Sequence, residues 1–552
     1  MKGKGLIIMS KVNIKKRDIN VDSREAMANT YIYAILCVFP LLLIDGYFDL
    51  TKAKFFIYFW VTISFATVML VYSLATGVFS SDVKKLKFDF LDISFLFYTL
   101  LNVVSFIAPT YKRIVDLGEL PTSHIFIGIG EIMVAEESRF TGLLLRLLIF
   151  ITYIILTKYA PFKDGCKKYI RYFLVTAVAV ALLGIFDYFD LDVLSLKENI
   201  QPGQRHVFVS TLGNINLFTA FVGIFLTIAS ILFCKLEDLK QSVILYVFVF
   251  IGFFAIIVGR SDNAYIFVGS LFLFSPLYLF DNMKSIIKYF ALVATFFVTA
   301  EIIDIVNVVF AEKVWGINDG VFAFLVDTRL GNFLTILSIL LLLISFFIYK
   351  KTKFDISKYS KTFKILWSGA ICVTALAAFG LFFYFNINVS DNAELPSFAN
   401  YFILTDEWGS GRGYIWKNSM KLFADSSFTE KLIGAGPANF TYVFNSVYYR
   451  ESVERYNVYF DNPHNEYINI LITSGILGLI SSMIFLFGAL IRIMKSIKNN
   501  IINAAIFFML LGYHLNMVVN LDVPIISPVM YVLFFIALAN SKNEQTPQEE
   551  VK

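Results

Sequence analysis

Charge is scarce in this chain: only 16% of its 552 residues are Asp, Glu, Lys or Arg. Histidine and cysteine are scarcer, at four each. Cys37 and Cys372 lie inside apolar runs, and Cys166 and Cys234 lie in or beside loops. That scatter excludes a disulfide framework and zinc-ligand spacing. The net charge of +5 is spread over many short loops rather than gathered on one face, so nucleic acid is not an expected partner. The basic first thirty residues are not followed by a short apolar run with a small-residue cleavage site, so they are expected to stay as a cytoplasmic tail.

What is abundant is apolar. Hydrophobic residues make up 58% of the chain, 60 of them Phe, and mean hydropathy is +0.70. These values lie outside the range of soluble domains. About fourteen apolar segments follow one another from Tyr31–Phe48 to Pro524–Leu538, most of them long enough to cross roughly 30 Å of hydrocarbon as helices. The expected fold is therefore an all-α polytopic membrane protein of about 14 transmembrane helices with a large extracytoplasmic loop. With the N-terminus inside, the cytoplasmic loops are short and lysine-bearing, as in SSDVKKLKFD and KKTKFDISKYSKTFK. Roughly 30 Lys and Arg fall on that side and about 16 on the other. The expected divisions are a tail over 1–30, helices over 31–386, the loop over 387–474, three helices over 475–540 and a second cytoplasmic tail over 541–552.

The irregular segments then gather on the extracytoplasmic face, where chemistry is expected. Arg139 precedes an apolar helix and reads either as an interfacial anchor or as a ligand for an anion. Arg146 lies inside that helix. A charge at mid-membrane costs about 2.5–3.5 kcal/mol, so it should face a partner or a polar cavity. Arg205 and His206 precede the turn Gly213-Asn214-Ile215-Asn216, which is either a plain helix start or a helix start aimed at an anion. In GRSDN, Arg260 and Asp262 either neutralise each other or orient a substrate oxygen.

The large loop carries most of the signal. Trp416, Met420 and Phe423 recur at helical spacing behind Arg412 and suggest a short amphipathic helix resting on the membrane surface. Gly434-Ala435-Gly436-Pro437 is a turn, with or without a phosphate at its N–H groups. Tyr442, Phe444, Tyr448, Tyr449, Tyr456, Tyr459 and Phe460 either pack or stack on sugars. DNPHNEYINILITSG reads as a helix capped by Asn462, with Pro463 first and His464 in the first turn. A helix N-terminus disfavours the imidazolium and leaves the ring neutral, fit for a general base. Glu466 is the competing base.

Taken together, Arg412 with Trp416, Gly434-x-Gly436-Pro437, His464-Asn465 and the following Ser-Gly-Ile-Leu-Gly-Leu resemble the O-antigen ligase and O-antigen polymerase superfamily. Arg139-x-x-Gly142 and Gly213-Asn214-x-Asn216 are similar to the same proteins. The resemblance implies a GT-C-like, metal-independent membrane glycosyltransferase with no cofactor. It implies a donor glycan on undecaprenyl pyrophosphate, an acceptor that is a glycan, lipid or wall component, and an extracytoplasmic active site on a bacterial cytoplasmic membrane. Carried over, His464 and Arg412 are the catalytic residues, and Arg139, Arg205 and Arg260 are the pyrophosphate contacts. Relatives often have Ser-Arg where this chain has Ser261-Asp262, with its arginine, Arg260, displaced to the position before the serine. A composition rich in Phe, Ile, Lys and Asn, as in an AT-rich organism, tilts the expectation towards a polysaccharide polymerase. A lipid-linked oligosaccharide flippase and a non-catalytic assembly protein are the alternatives.

Overall fold

The computed structural model describes residues 23–44, 46–77, 79, 88–107, 133–159, 166–352, 355–388, 399 and 402–543. Most of the expected N-terminal tail, residues 109–132 of the expected loop between Pro109 and Phe140, and most of the C-terminal tail lie outside these residues.

The described residues are mostly helical, as the apolar segments require: in hydrocarbon each backbone N–H and C=O must be satisfied within its own segment. Helix runs from residue 23, passes through a π turn at Ala34–Val38 and ends in a 3-10 turn at Phe39–Leu41 that contains Pro40. There follow α1 (Leu50–Ala75), α2 (Phe90–Ile107), α3 (Leu143–Ile154), α4 (Lys167–Tyr188), α5 (Ile215–Lys235), α6 (Leu239–Val258), α7 (Ala264–Phe274) and α8 (Met283–Val309). The second half holds α9 (Leu330–Lys351), α10 (Ser360–Asn388), α11 (Trp408–Asp425), α12 (Phe428–Ile433), α13 (Phe440–Tyr456), α14 (Glu466–Ser496), α15 (Ile501–Asn516) and α16 (Ser527–Asn543). One two-stranded antiparallel ribbon pairs Phe208 with Asn214 and Val209 with Gly213.

Among the described residues, nine helices are long and apolar enough to cross a membrane, against the fourteen spans expected. Three further apolar helices, Ala264–Leu279, Ile501–Asn516 and Ser527–Lys542, are shorter. At 1.5 Å per residue a helix of 10–17 residues covers about 15–26 Å of the roughly 30 Å core.

Helix α5 is the centre of the bundle, buried along its whole apolar length. It packs against α4, α6, α7 and α15. Gly223 makes the approach of α7 possible, since a Cβ there would stand 2.3 Å from Phe267 Cγ. The periphery is different. Leu343, Phe347 and Leu376 on α9 and α10 are exposed, as a lipid-facing surface would be.

A second, smaller core lies in the segment expected to be the large loop. Tyr414, Ile415, Phe440, Phe444 and Ile472 pack together and join α11 and α13 to the start of α14. The surface-lying helix expected from Trp416, Met420 and Phe423 is therefore corrected. Helix α11 buries its Gly411, Tyr414, Ile415, Asn418 and Ser419 side and leaves Met420 exposed. Two small polar residues on the buried side disguised it.

Candidate active site

His464 sits just ahead of α14. The cap of that helix is Asn465, whose Oδ1 accepts the N–H groups of Tyr467 and Ile468 at 3.0 and 3.1 Å. Asn462 instead accepts the backbone N–H of His464 at 2.9 Å. The expected cap is thus off by three residues: two asparagines compete for the role, and the first is used in a tight turn that holds His464 at φ 47°. Burial, then the positive charges of Arg139 and Arg412, push the His464 imidazole down to about 3. The ring is neutral at pH 7, but desolvation and two guanidiniums cause it rather than a helix dipole.

The two arginines reach this point by different routes. Arg139 adopts a left-handed conformation at φ 56°, and its Nε donates to Asp461 Oδ2 at 2.6 Å. Arg412 follows Gly409, Ser410 and Gly411, all at positive φ, which kink the chain at the start of α11. Its Nη1 donates to the Gly409 carbonyl at 2.9 Å, while its Nε is buried with no hydrogen-bond partner among the described residues. Burial also lowers the Arg412 pKa. One turn further, Trp416 Nε1 donates to the Pro463 carbonyl at 2.8 Å. The i, i+4 spacing of Arg412 and Trp416 therefore lets one helix face supply both a cation and a clamp on the residue before His464.

Arg205 and Arg260 are placed elsewhere at the same end of the bundle. Arg205 Nε donates to the Ile200 carbonyl at 3.2 Å, and Arg260 Nη2 donates to the His206 carbonyl. The His206 and Trp315 rings lie 5.7 Å apart beside them. Asp262 does not neutralise Arg260, because its Oδ1 accepts the Val321 N–H at 2.9 Å. Asn214 caps α5 by accepting the Asn216 N–H, and Asn216 receives Ser261 Oγ and Asn263 Nδ2. Two bonds bring this group and the His464 turn to one end: Asn516 Nδ2 donates to the Asn263 carbonyl, and Glu466 N–H to the Met517 carbonyl.

The competing base, Glu466, is engaged. Its Oε1 accepts from Arg146 Nη2 at 2.8 Å, and both side chains are only 8% exposed, which gives the buried arginine its required partner. Asp522, overlooked in the sequence, takes part in the same polar core by accepting the Tyr513 and Ser527 hydroxyls. A cavity of about 60 Å³ lies among Tyr98, Arg146, Glu466, His514, Asp522 and Tyr531. The only trace in the sequence was an aspartate in the apolar stretch Leu521-Asp522-Val523-Pro524.

The glycine turn is structural. The N–H groups of Gly434, Ala435 and Gly436 donate to the carbonyls of Glu430, Ile472 and Thr473 at 2.7, 2.9 and 2.8 Å, so none is free for a phosphate. The last two acceptors exist because α14 breaks at Gly475, which has φ 68°. Most of the loop aromatics pack on one another, with Tyr414–Tyr456 and Phe444–Tyr448 centroids 5.3 and 5.1 Å apart, whereas Tyr459 is exposed. Among the described residues no group of three or more His, Cys, Asp and Glu side chains is placed to hold a metal ion.

Residues 319–483 match the family model described as O-antigen ligase. The matched segment contains Arg412, Trp416, the Gly434–Pro437 turn and His464, while Arg139, Arg205 and Arg260 lie before it. No curated protein matches the chain.

Proposed function

From the match of residues 319–483 to the O-antigen ligase family model, we propose that this chain polymerises a glycan carried on undecaprenyl pyrophosphate at the outer face of a bacterial cytoplasmic membrane. A membrane glycosyltransferase-like activity is what the family brings; the donor, the polymerase direction and the roles of individual residues are our reading. One observation carries it: a neutral, partly buried histidine stands under the charge of two arginines.

In this reading the acceptor hydroxyl oxygen attacks the anomeric carbon of the donor sugar. The bond from that carbon to pyrophosphate breaks, and undecaprenyl pyrophosphate leaves with the electron pair. His464 takes the hydroxyl proton. Arg412, with its spare Nε, and Arg139 stabilise the charge that builds on the pyrophosphate. Fixed guanidiniums suffice for that stabilisation, so no metal ion or cofactor is invoked. A bound pyrophosphate would offset the same two charges that lower the imidazole pKa, making His464 a stronger base when donor is present. Arg205 and Arg260 are proposed as further donor contacts from the neighbouring group.

The test is His464→Ala and Arg412→Ala, read as glycan chain length in cells with protein levels measured. Loss of long chains at normal protein level is expected for both. Normal polymer at normal protein level would overturn the reading. A ligase would instead leave chain length intact and abolish transfer to the final acceptor.

A further inference from the structure

The opposite end of the bundle carries a groove of about 790 Å³ between α4, the end of α5, the start of α6 and the start of α15. Its wall is apolar, formed by residues such as Leu174, Val175, Ile244, Leu245 and Phe248. Its rim is cationic. Lys167, Lys168 and Arg171 fall within two turns of α4 and line it. Lys167 also lines an adjoining depression of about 650 Å³ together with Lys235 and Lys498. Among the described residues none of Lys167, Lys168 and Arg171 forms an ion pair; Lys168 lies over the Tyr169 ring at 5.3 Å. Among the described residues the one carboxylate lining the groove, Asp238, caps α6 by accepting the Gln241 N–H at 2.8 Å.

We propose that this groove binds an anionic phospholipid, its phosphate on Lys167, Lys168 and Arg171 and its acyl chains along the α4–α6 wall. The charge pattern selects the occupant. Three cations without an ion-pair partner among the described residues, above an apolar channel, match a negative headgroup joined to hydrocarbon, whereas a soluble anion would leave the channel uncovered and a neutral lipid would leave the cations without a counter-charge. The site is distinct from the one around His464. Helix α4 begins at this rim and ends at Tyr188, about 33 Å away at 1.5 Å per residue, beside Arg260.

The experiment uses the purified full chain in neutral detergent, with phosphatidylglycerol, phosphatidylcholine of the same acyl chains, or inorganic phosphate added. Bound lipid is counted by native mass spectrometry. Phosphatidylglycerol is expected to be retained over phosphatidylcholine, and phosphate is expected to leave that retention unchanged. A juxtamembrane Lys or Arg contributes about fivefold to binding an anionic surface, so the K167Q/K168Q/R171Q variant should lose about a hundredfold. K350Q/K351Q, at the end of α9, should lose nothing. Equal retention of the two lipids by the wild type would overturn the proposal, as would displacement by phosphate or undiminished selectivity in the triple variant. If the triple variant fails to accumulate, K168Q and R171Q alone should each lose about fivefold, and unchanged binding in both would overturn it equally.

Discussion

His464 makes the sharpest demands of any residue here. Its pKa is held at about 3, well below the ordinary 6.5, so the unfolded chain takes up a proton that the folded chain refuses. Stability from this position is fully present above pH 6.5 and is lost as pH falls from there towards 3. His464→Gln should flatten that part of the stability profile, read as thermal midpoint against pH in detergent. In the general-base role proposed for it, the same substitution should lower glycan transfer by about 10²- to 10⁴-fold. Arg146 makes a different prediction. Arg146→Met strands the buried Glu466 carboxylate and should cost roughly 3–5 kcal/mol, whereas R146M/E466Q should recover much of it. A thermal unfolding series of the single and double variants checks this, and equal midpoints for the two would refute the pairing. The need for a partner was legible at Arg146. Its identity was not, since the two residues are 320 positions apart.

Among the elements, the break in α14 is the most constrained. A Cβ on Gly434 would come within 2.3 Å of Ser474 N, and one on Gly475 within 2.3 Å of the Leu432 carbonyl oxygen. Both residues also have positive φ. Gly434→Ala and Gly475→Ala should each destabilise the protein by about 1–3 kcal/mol, while Gly380→Ala, which meets nothing within 4 Å in α10, should be neutral within about 1 kcal/mol. The same break bears on the transporter alternative. Transporters leave the carbonyls of a broken helix open for ions or substrate, but here Ile472 and Thr473 are occupied by the glycine turn. Helices were readable because an apolar run in hydrocarbon has few other ways to satisfy its backbone. Caps and breaks were not, because Asn462 and Asn465 are the same residue type and Gly475 sits within a run of otherwise helical residues.

For the whole molecule, the turns that carry His464, Arg139 and Arg412 lie at one end and the lysine-lined depressions at the other. In a background with the native cysteines replaced, Val447→Cys should react with an impermeant thiol reagent added to intact cells, and Lys498→Cys should react only after lysis. The reverse pattern would invert the orientation proposed for the active site. Separation along the chain has a consequence in time as well. Arg146 leaves the ribosome 320 residues before Glu466, a lag of roughly 16 to 64 s at about 5–20 residues per second. Through that interval Arg146 of α3 lacks the carboxylate that pairs with it in the folded protein. Only the last sixth of the chain supplies that partner.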